Sequence, residues 1–349
     1  MSASSTTSAI SSTITTAIAS ATATQSASGF VPSKSGNLAF TVLFGIILIS
    51  HIVLGIYFKQ RWFGSTISIG ILLEMVGYGS RVALANNPTS QDMFLSQITC
   101  LTVAPCFIMA AYYYLLGKLV IIYGPRFSML PPIYYSYLFV TCDIIALVIQ
   151  SFGGVVSSSA ATTDTQQQQL GTHIMVGGLV FQVVSMTAYL VFWLFFFYSV
   201  YFRSSKETSR SFNVGITNFF HTNYKDELFN PDYSRMRSRQ YFKYFPLTVT
   251  IGIFAVYVRC IYRVIELSEG WSGYLITHEA FVFVFDGAMV LIATYILLPP
   301  FYPGYVFGKN TVIVVPKSLK IKKQDTTQDI NLQNYSYYNS QSKDMLVKN

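Results

Sequence analysis

Charge is scarce in this sequence. Only 11% of its 349 residues are Asp, Glu, Lys or Arg, against about 25% in soluble domains. That excludes an ordinary water-soluble globule, which needs a charged surface. Cysteine and histidine are scarce too, with four of each. Cys100, Cys106, Cys142 and Cys260 lie in apolar stretches, without Cys-x-x-Cys or Cys/His spacing. This argues against a disulfide framework or a metal site. His51, His173, His221 and His278 are scattered, and only His173 and His278 fall at a similar depth. Two histidines do not make the usual three-ligand catalytic zinc unless a carboxylate joins them. No Gly-x-x-x-x-Gly-Lys-Ser/Thr phosphate loop is present, which excludes ATP hydrolysis by that route. The first charged side chain is Lys34, so no basic segment precedes an apolar core and no signal peptide is read. Residues 1–36 are expected to form a disordered, Ser/Thr/Ala-rich extracellular tail, open to O-glycosylation.

What the sequence does have is apolar length. Hydrophobic residues make up 52% and aromatics 16%, and the mean hydropathy is +0.44. Seven apolar stretches lie at 38–58, 64–84, 93–117, 133–155, 173–202, 245–267 and 278–298. Each is near or above the roughly 20 residues a helix needs to cross a bilayer. The expected fold is all-α: a polytopic membrane protein with seven transmembrane helices over 37–300. A cytosolic tail, 301–349, is basic at first and then disordered.

The connections set the orientation, because Lys and Arg concentrate on the cytosolic side. Lys59 and Arg61 mark the first connection, Lys118 and Arg126 the third, and a run from Arg203 to Lys243 the fifth. The second, fourth and sixth carry no Lys or Arg, and the tail carries seven lysines. The N-terminus is therefore expected outside and the C-terminus in the cytosol. The net charge of +8 does not indicate nucleic acid, since the basic residues do not interleave with aromatics on one face. The stretches 235–243 and 316–323 are polybasic and lie close to helix ends. Anionic membrane lipids are their expected partners, at about 1 kcal/mol per basic residue. The long fifth connection is also where a cytosolic protein partner would dock.

Polar residues inside the apolar stretches are costly and therefore informative. The second stretch holds Glu74 near its middle and Arg81 seven residues on, about 10 Å further out on nearly the same face. That is too far for a direct pair but allows both to line one cavity. Gln97 falls in the outer part of the third stretch. Asp143 lies mid-way along the fourth and Gln150 further out. Gln182 lies in the outer half of the fifth. Arg259, Arg263 and Glu266 climb the sixth toward its outer end, and Glu279 and then Asp286 descend the seventh. The set clusters between mid-membrane and the outer surface, and the inner half is nearly free of charge. A mildly acidic polar cavity, open outward, is the expectation, fit for a cationic or zwitterionic head group. Other readings stay open. Arg81, Arg263, Glu266 and Glu279 are placed to snorkel to the interface. Glu74, Asp143, Asp286 and Arg259 are placed to form structural ion pairs. The glutamines are placed for interhelical hydrogen bonds. Gly77, Gly79, Gly153, Gly154, Gly177 and Gly178 are read as close-packing positions, Pro105 as a kink that opens space. The aromatic run 192–202 is read as an interfacial belt in contact with lipid.

These strings resemble a known family. Glu74-x-x-Gly77-Tyr78-x-x-Arg81 is similar to the second-helix signature of the fungal lipid-translocating exporter (RTA-like) family. "QITCLTVAPCFIMAAYYYLLGK" from Gln97, "DIIALVIQSFGG" (143–154), "GTHIMVGGLVFQ" (171–182) and "RCIYRVIELSEGWSGYLITHEAFVFVFD" (259–286) resemble its later helices in order. The resemblance spans about 38–300 and implies seven-helix fungal membrane proteins linked to movement of amphiphilic molecules. Relatives of this kind include sphingoid long-chain-base exporters, sterol-analogue resistance proteins and porphyrin transporters. The implied function is binding and translocation or export of an amphiphilic lipid, a sphingoid long-chain base above all, across the plasma membrane. No cofactor and no catalytic residue is implied. Two alternatives stand beside it. One is a seven-helix lipid-sensing receptor, though Asp-Arg-Tyr and Asn-Pro-x-x-Tyr are missing from the third and seventh stretches. The other is a ceramidase-like hydrolase, which needs a Glu or Asp to complete a metal site with His173 and His278.

Overall fold

Long apolar runs become helices because a helix satisfies its interior N–H and C=O groups within itself, as a lipid surrounding demands. The computed structural model describes residues 32–88, 90–124, 127–159, 165–200, 229–230, 233–269 and 274–308, and among them there is no strand. Six helices are long and apolar enough to cross a membrane. They are α1 (Lys34–Phe58), α2 (Arg61–Asn86), α3 (Gln91–Tyr123), α4 (Pro132–Ser159), α5 (Thr165–Tyr198) and α6 (Phe245–Ser268). The seventh expected crossing, here α7, is helical over 279–295 but shorter and interrupted. It joins Glu279–Phe281, a π-helical segment Val282–Ala288, and Met289–Tyr295. A short α8 follows at Pro303–Phe307.

Successive helices run antiparallel. One end of the bundle gathers Ser33, Asn37, Arg81 and Glu279. The opposite end gathers Gln60, Lys118 and Phe307; these are the Ser33 end and the Lys59 end below. α1 shows why such a helix sits at the rim. Val42, Ile46, Ile49, Val53 and Ile56 recur every three to four residues and are exposed, while Phe44, Ile47, Leu48 and His51 are buried. The outward stripe is apolar, which suits contact with lipid. The chain is an integral membrane protein.

Several segments depart from expectation. The sequence places Lys118 in the third connection, but α3 runs on to Tyr123. The apolar run continues past Lys118 and stops only at Gly124, whose φ of 115° is open to glycine. Lys118 is therefore buried. Its Nζ donates to Gln60 Oε1 at 3.0 Å and lies over the Tyr114 and Phe307 rings. The half of the bundle at the Lys59 end is thus not free of charge. α5 begins at Thr165, well before the apolar stretch, because its glutamines are good helix formers that hydropathy does not register. The aromatic run near the end of α5 is split between core and rim. Trp193 and Phe196 are buried, with Trp193 Nε1 donating to Thr250 Oγ1 at 2.8 Å, while Leu194 and Tyr198 stay exposed. Residues just past Pro300, placed above in the tail, pack into the bundle. Tyr302, Val306 and Phe307 are buried, and Phe307 meets Phe245 edge-on.

The basic stretch 235–243 serves the fold as well as any lipid. Arg237 Nη1 donates to the Ile122 carbonyl near the end of α3 at 3.0 Å. Arg239 Nη1 donates to the carbonyl of Tyr305 at 3.1 Å. Carbonyls in a helix's last turn have no partner within the helix, and arginine supplies one. The basic residues at 203–228 and 316–323, His221 and Arg126 lie outside the described residues.

Candidate functional site

Pro105 stands inside α3. Proline has no N–H, so the carbonyl four residues earlier loses its helical donor. That carbonyl belongs to Leu101, and Arg259 of α6 donates to it through Nη2 at 2.6 Å. The same Nη2 is 3.4 Å from Glu74 Oε1 of α2. Arg259 Nε is 2.8 Å from Asp286 Oδ1 of α7. Arg259, Glu74 and Asp286 are all buried. One guanidinium thus ties α2, α3, α6 and α7 together. Tyr78 completes the group, its hydroxyl donating to Asp286 Oδ2 at 3.2 Å. Asp286 sits in the π-helical segment, where the wider turn re-aims side chains relative to the helix before it.

This cluster is under-satisfied. Neither oxygen of Glu74 accepts a hydrogen bond, and neither does Asp286 Oδ1. Arg259 Nε is close to Asp286 but makes no hydrogen bond, so that contact is Coulombic. Two carboxylates face one guanidinium, all three of them buried. Buried acceptors without donors are expensive and rare.

A second polar layer lies at the Ser33 end. Arg81 Nη2 donates to Glu279 Oε1 at 3.1 Å, and Arg81 Nε to Asn37 Oδ1 at 2.8 Å. The Ser33 N–H, at the start of α1, donates to Glu279 Oε2 at 2.7 Å. Between the two layers, rings of Phe283, Phe40 and Tyr78 stack at centroid distances of 5.5 and 5.2 Å. Glu74 and Arg81 therefore do not line one cavity, as their spacing had suggested. Each finds its own partner, and aromatic residues fill the two turns between them.

The remaining sequence candidates divide further. Arg263 pairs with Glu266 on the same helix at 2.8 Å. Gln150 Nε2 donates to Gln182 Oε1 at 3.1 Å, and Gln182 Nε2 to Cys106 Sγ at 3.3 Å. Gln97 is buried, its Oε1 without a partner. Asp143 accepts from the Tyr113 hydroxyl at 2.9 Å and is apart from the Arg259 cluster. The single open chamber expected from the sequence is replaced by packed groups. The reason is that most of the charges find partners on neighbouring helices. A small crevice remains beside Pro105, lined also by Thr102, Gln182, Arg259 and Arg263. It has room for about one water molecule. The space foreseen beside Pro105 is there, though small.

Sequence reasoning missed Asn37, Tyr113 and Lys118 as partners, and read Tyr78 only as part of a signature. The missing signal was available for Lys118, a lone cation in an unbroken apolar run. It was not available for the tyrosines, which are common in membrane helices. Among the described residues no three His, Cys, Asp or Glu side chains are grouped to hold a metal ion. His51 Nε2 instead donates to the Thr294 carbonyl at 3.0 Å.

Comparison with known proteins sets this arrangement in context. A family model described as RTA1 like protein matches residues 67–310. The chain is 36% identical over 294 residues to the sphingoid long-chain base transporter RSB1 of Saccharomyces cerevisiae, covering 82% of this chain and 76% of that one. It is 26% identical over 279 residues to Protein RTM1 of Saccharomyces cerevisiae, covering 78% and 79%. It is 20% identical over 297 residues to Protein RTA1 of the same species, covering 78% and 83%. No solved structure matches the chain. The Arg259 cluster, the Arg81–Glu279 pair and the Gln150–Gln182 pair all fall within the matched span, and the chain belongs to the RTA1-like protein family.

Proposed function

We propose that this protein moves a sphingoid long-chain base across the plasma membrane, toward the outside. The observation that carries the reading is the Arg259 cluster. Buried carboxylate oxygens of Glu74 and Asp286 lack donors, and a sphingoid base brings an ammonium with three N–H donors. The likeness to a sphingoid long-chain base transporter over most of the chain supports the same substrate. In this reading the Ser33 end faces outward, the Lys59 end faces the cytosol, and α7 is the seventh crossing. The distribution of Lys and Arg between the connections supports that orientation. Glu74 and Asp286 receive the ammonium. Arg81 and Glu279 close the cluster off from the Ser33 end. Gln97, Gln150 and Gln182 flank the path of the chain. Arg263 and Glu266 border it on α6, and Asp143 stands across α3. The exposed Arg235 and the basic tail meet anionic lipid.

The test is efflux of a labelled sphingoid base, beside a neutral lipid, from cells expressing wild type, Glu74→Gln or Asp286→Asn at matched surface levels. Wild type exports the base and both variants lose that export. Equal efflux from cells with and without the protein would sink the proposal. A cytosolic signal on base addition, without lipid movement, would replace it with a receptor.

A further inference from the structure

The role of Arg259 is the question the cluster leaves behind. A brace built for stability aligns donors with every carboxylate lone pair, because buried charges are otherwise costly. Arg259 does not do this. Its hydrogen bond with strong geometry goes to the Leu101 carbonyl at 2.6 Å. Its approaches to Glu74 at 3.4 Å and to Asp286 at 2.8 Å leave Glu74 Oε1, Glu74 Oε2 and Asp286 Oδ1 without hydrogen bonds. The guanidinium is anchored to the backbone and only leans on the carboxylates. Its anchor exists because Pro105 withholds the N–H that would have filled Leu101. The crevice, about one water in size, borders both Pro105 and the guanidinium, so the Nε edge that leans on Asp286 has room for a small shift while the Nη2 bond to Leu101 is kept.

We infer that Arg259 is a tethered stand-in for the substrate's ammonium, a cation that occupies the Glu74–Asp286 seat until an ammonium amphiphile displaces it. This rests on the proposed function and deepens it. With Arg259 held at the Leu101 carbonyl and the ammonium in the seat, two cations face two carboxylates, so the exchange adds the charge that the resting cluster lacks. The incoming ammonium gains because its three donors can reach oxygens that Arg259 leaves unfilled. Release follows from the tether. A side chain held beside the seat competes at the high effective concentration of an intramolecular group. Arg259 returns and expels the head group without nucleotide hydrolysis. A neutral, N-acylated base carries no ammonium and cannot enter the exchange.

The test is binding to purified, full-length protein in detergent. The probes are a C18 sphingoid base and its N-acetylated form, with folding checked by size-exclusion profile. Arg259→Gln removes the competitor. Affinity for the base rises about tenfold, as expected when a site is freed from an occupant that held it most of the time. Affinity for the N-acetylated form does not change, and release of the base slows. An Arg259→Gln protein that elutes as wild type but binds the base no tighter, or both probes tighter alike, overturns the inference. Arg259→Lys covers the case in which Gln is not recovered folded. Lysine keeps the charge but lacks the fork that spans Leu101 and both carboxylates, so the gain is about threefold. Unchanged or weaker base affinity in that variant overturns the inference as well. The two readings fail separately. If wild type binds no base, the proposed function falls and takes this with it. If wild type binds base and neither variant binds it tighter, only the role of Arg259 falls.

Discussion

Between α4 and α5 the backbones nearly touch. A Cβ on Gly153 would stand 2.5 Å from the Met175 nitrogen, and one on Gly171 would collide with the Ser157 backbone. The Gln150–Gln182 amide pair bridges the same two helices. Between α2, α6 and α7 the contact is made instead by side chains, and several of those are ionisable. There the acceptors of Glu74 and Asp286 outnumber the donors aimed at them. The first seam is held by close van der Waals approach, which has one good arrangement. The second is held by charges that are matched in number only roughly, and such a contact has more than one arrangement within reach. A membrane protein that moves a ligand needs both, a wall that stays and an interior that changes.

Substitutions can break or sharpen that contrast. The largest expected effect is Gly171→Leu, which forces α4 and α5 apart and costs about 3 kcal/mol or more. It shows as a lost monodisperse peak or a strongly lowered Tm in detergent. A wild-type Tm would mean that the close approach is not what holds the seam. Asp286→Asn comes next, and acts on function rather than on folding. Base export falls by about an order of magnitude, as expected for losing a hydrogen bond to a charged group. Its Tm stays within a few degrees of wild type, unlike Gly171→Leu. Tyr78→Phe removes the one donor to Asp286 Oδ2 and lowers stability by about 1 kcal/mol. A thermal melt that does not move would show the hydroxyl contributes nothing. The smallest effects divide a single glycine pair. A Cβ on Gly178 would sit 2.7 Å from Gln150 Cγ, whereas one on Gly177 meets nothing within 4 Å. Gly178→Ala should therefore lower Tm, and Gly177→Ala should raise stability by up to about 1 kcal/mol through helix propensity. Equal shifts for the two would erase the distinction between packed and open glycines.

The six long helices were legible because hydropathy and length are local properties of a chain. So was the identity of the polar residues that matter, because any Glu, Asp or Arg in a bilayer-length apolar run stands out. Helix ends were less legible. Lys118 looked like a loop residue because a basic side chain usually marks the end of a crossing. Its burial between Gln60, Tyr114 and Phe307 shows how the continuing helix shelters the charge. The glycine pairs were read as packing positions, yet in each pair one member is packed and the other is not. Gly153 and Gly178 face a neighbour, while Gly154 and Gly177 face ordinary contact or open space. Sequence alone cannot orient a helix finely enough to separate neighbours 100° apart.

By itself the sequence determined that this is a helical membrane protein, where its apolar segments run, and which charged residues must be sheltered from lipid. It also carried the ordered motifs of the RTA1-like family. Partnership was decided only by the tertiary structure. Glu74 goes with Arg259 rather than Arg81, and Arg259 takes the carbonyl that Pro105 leaves free. Asp143 goes to Tyr113. The physical reason is range. Hydropathy is summed along one helix, but an ion pair is made across the gap between two, and which side chains share that gap depends on rotation and depth that packing alone sets.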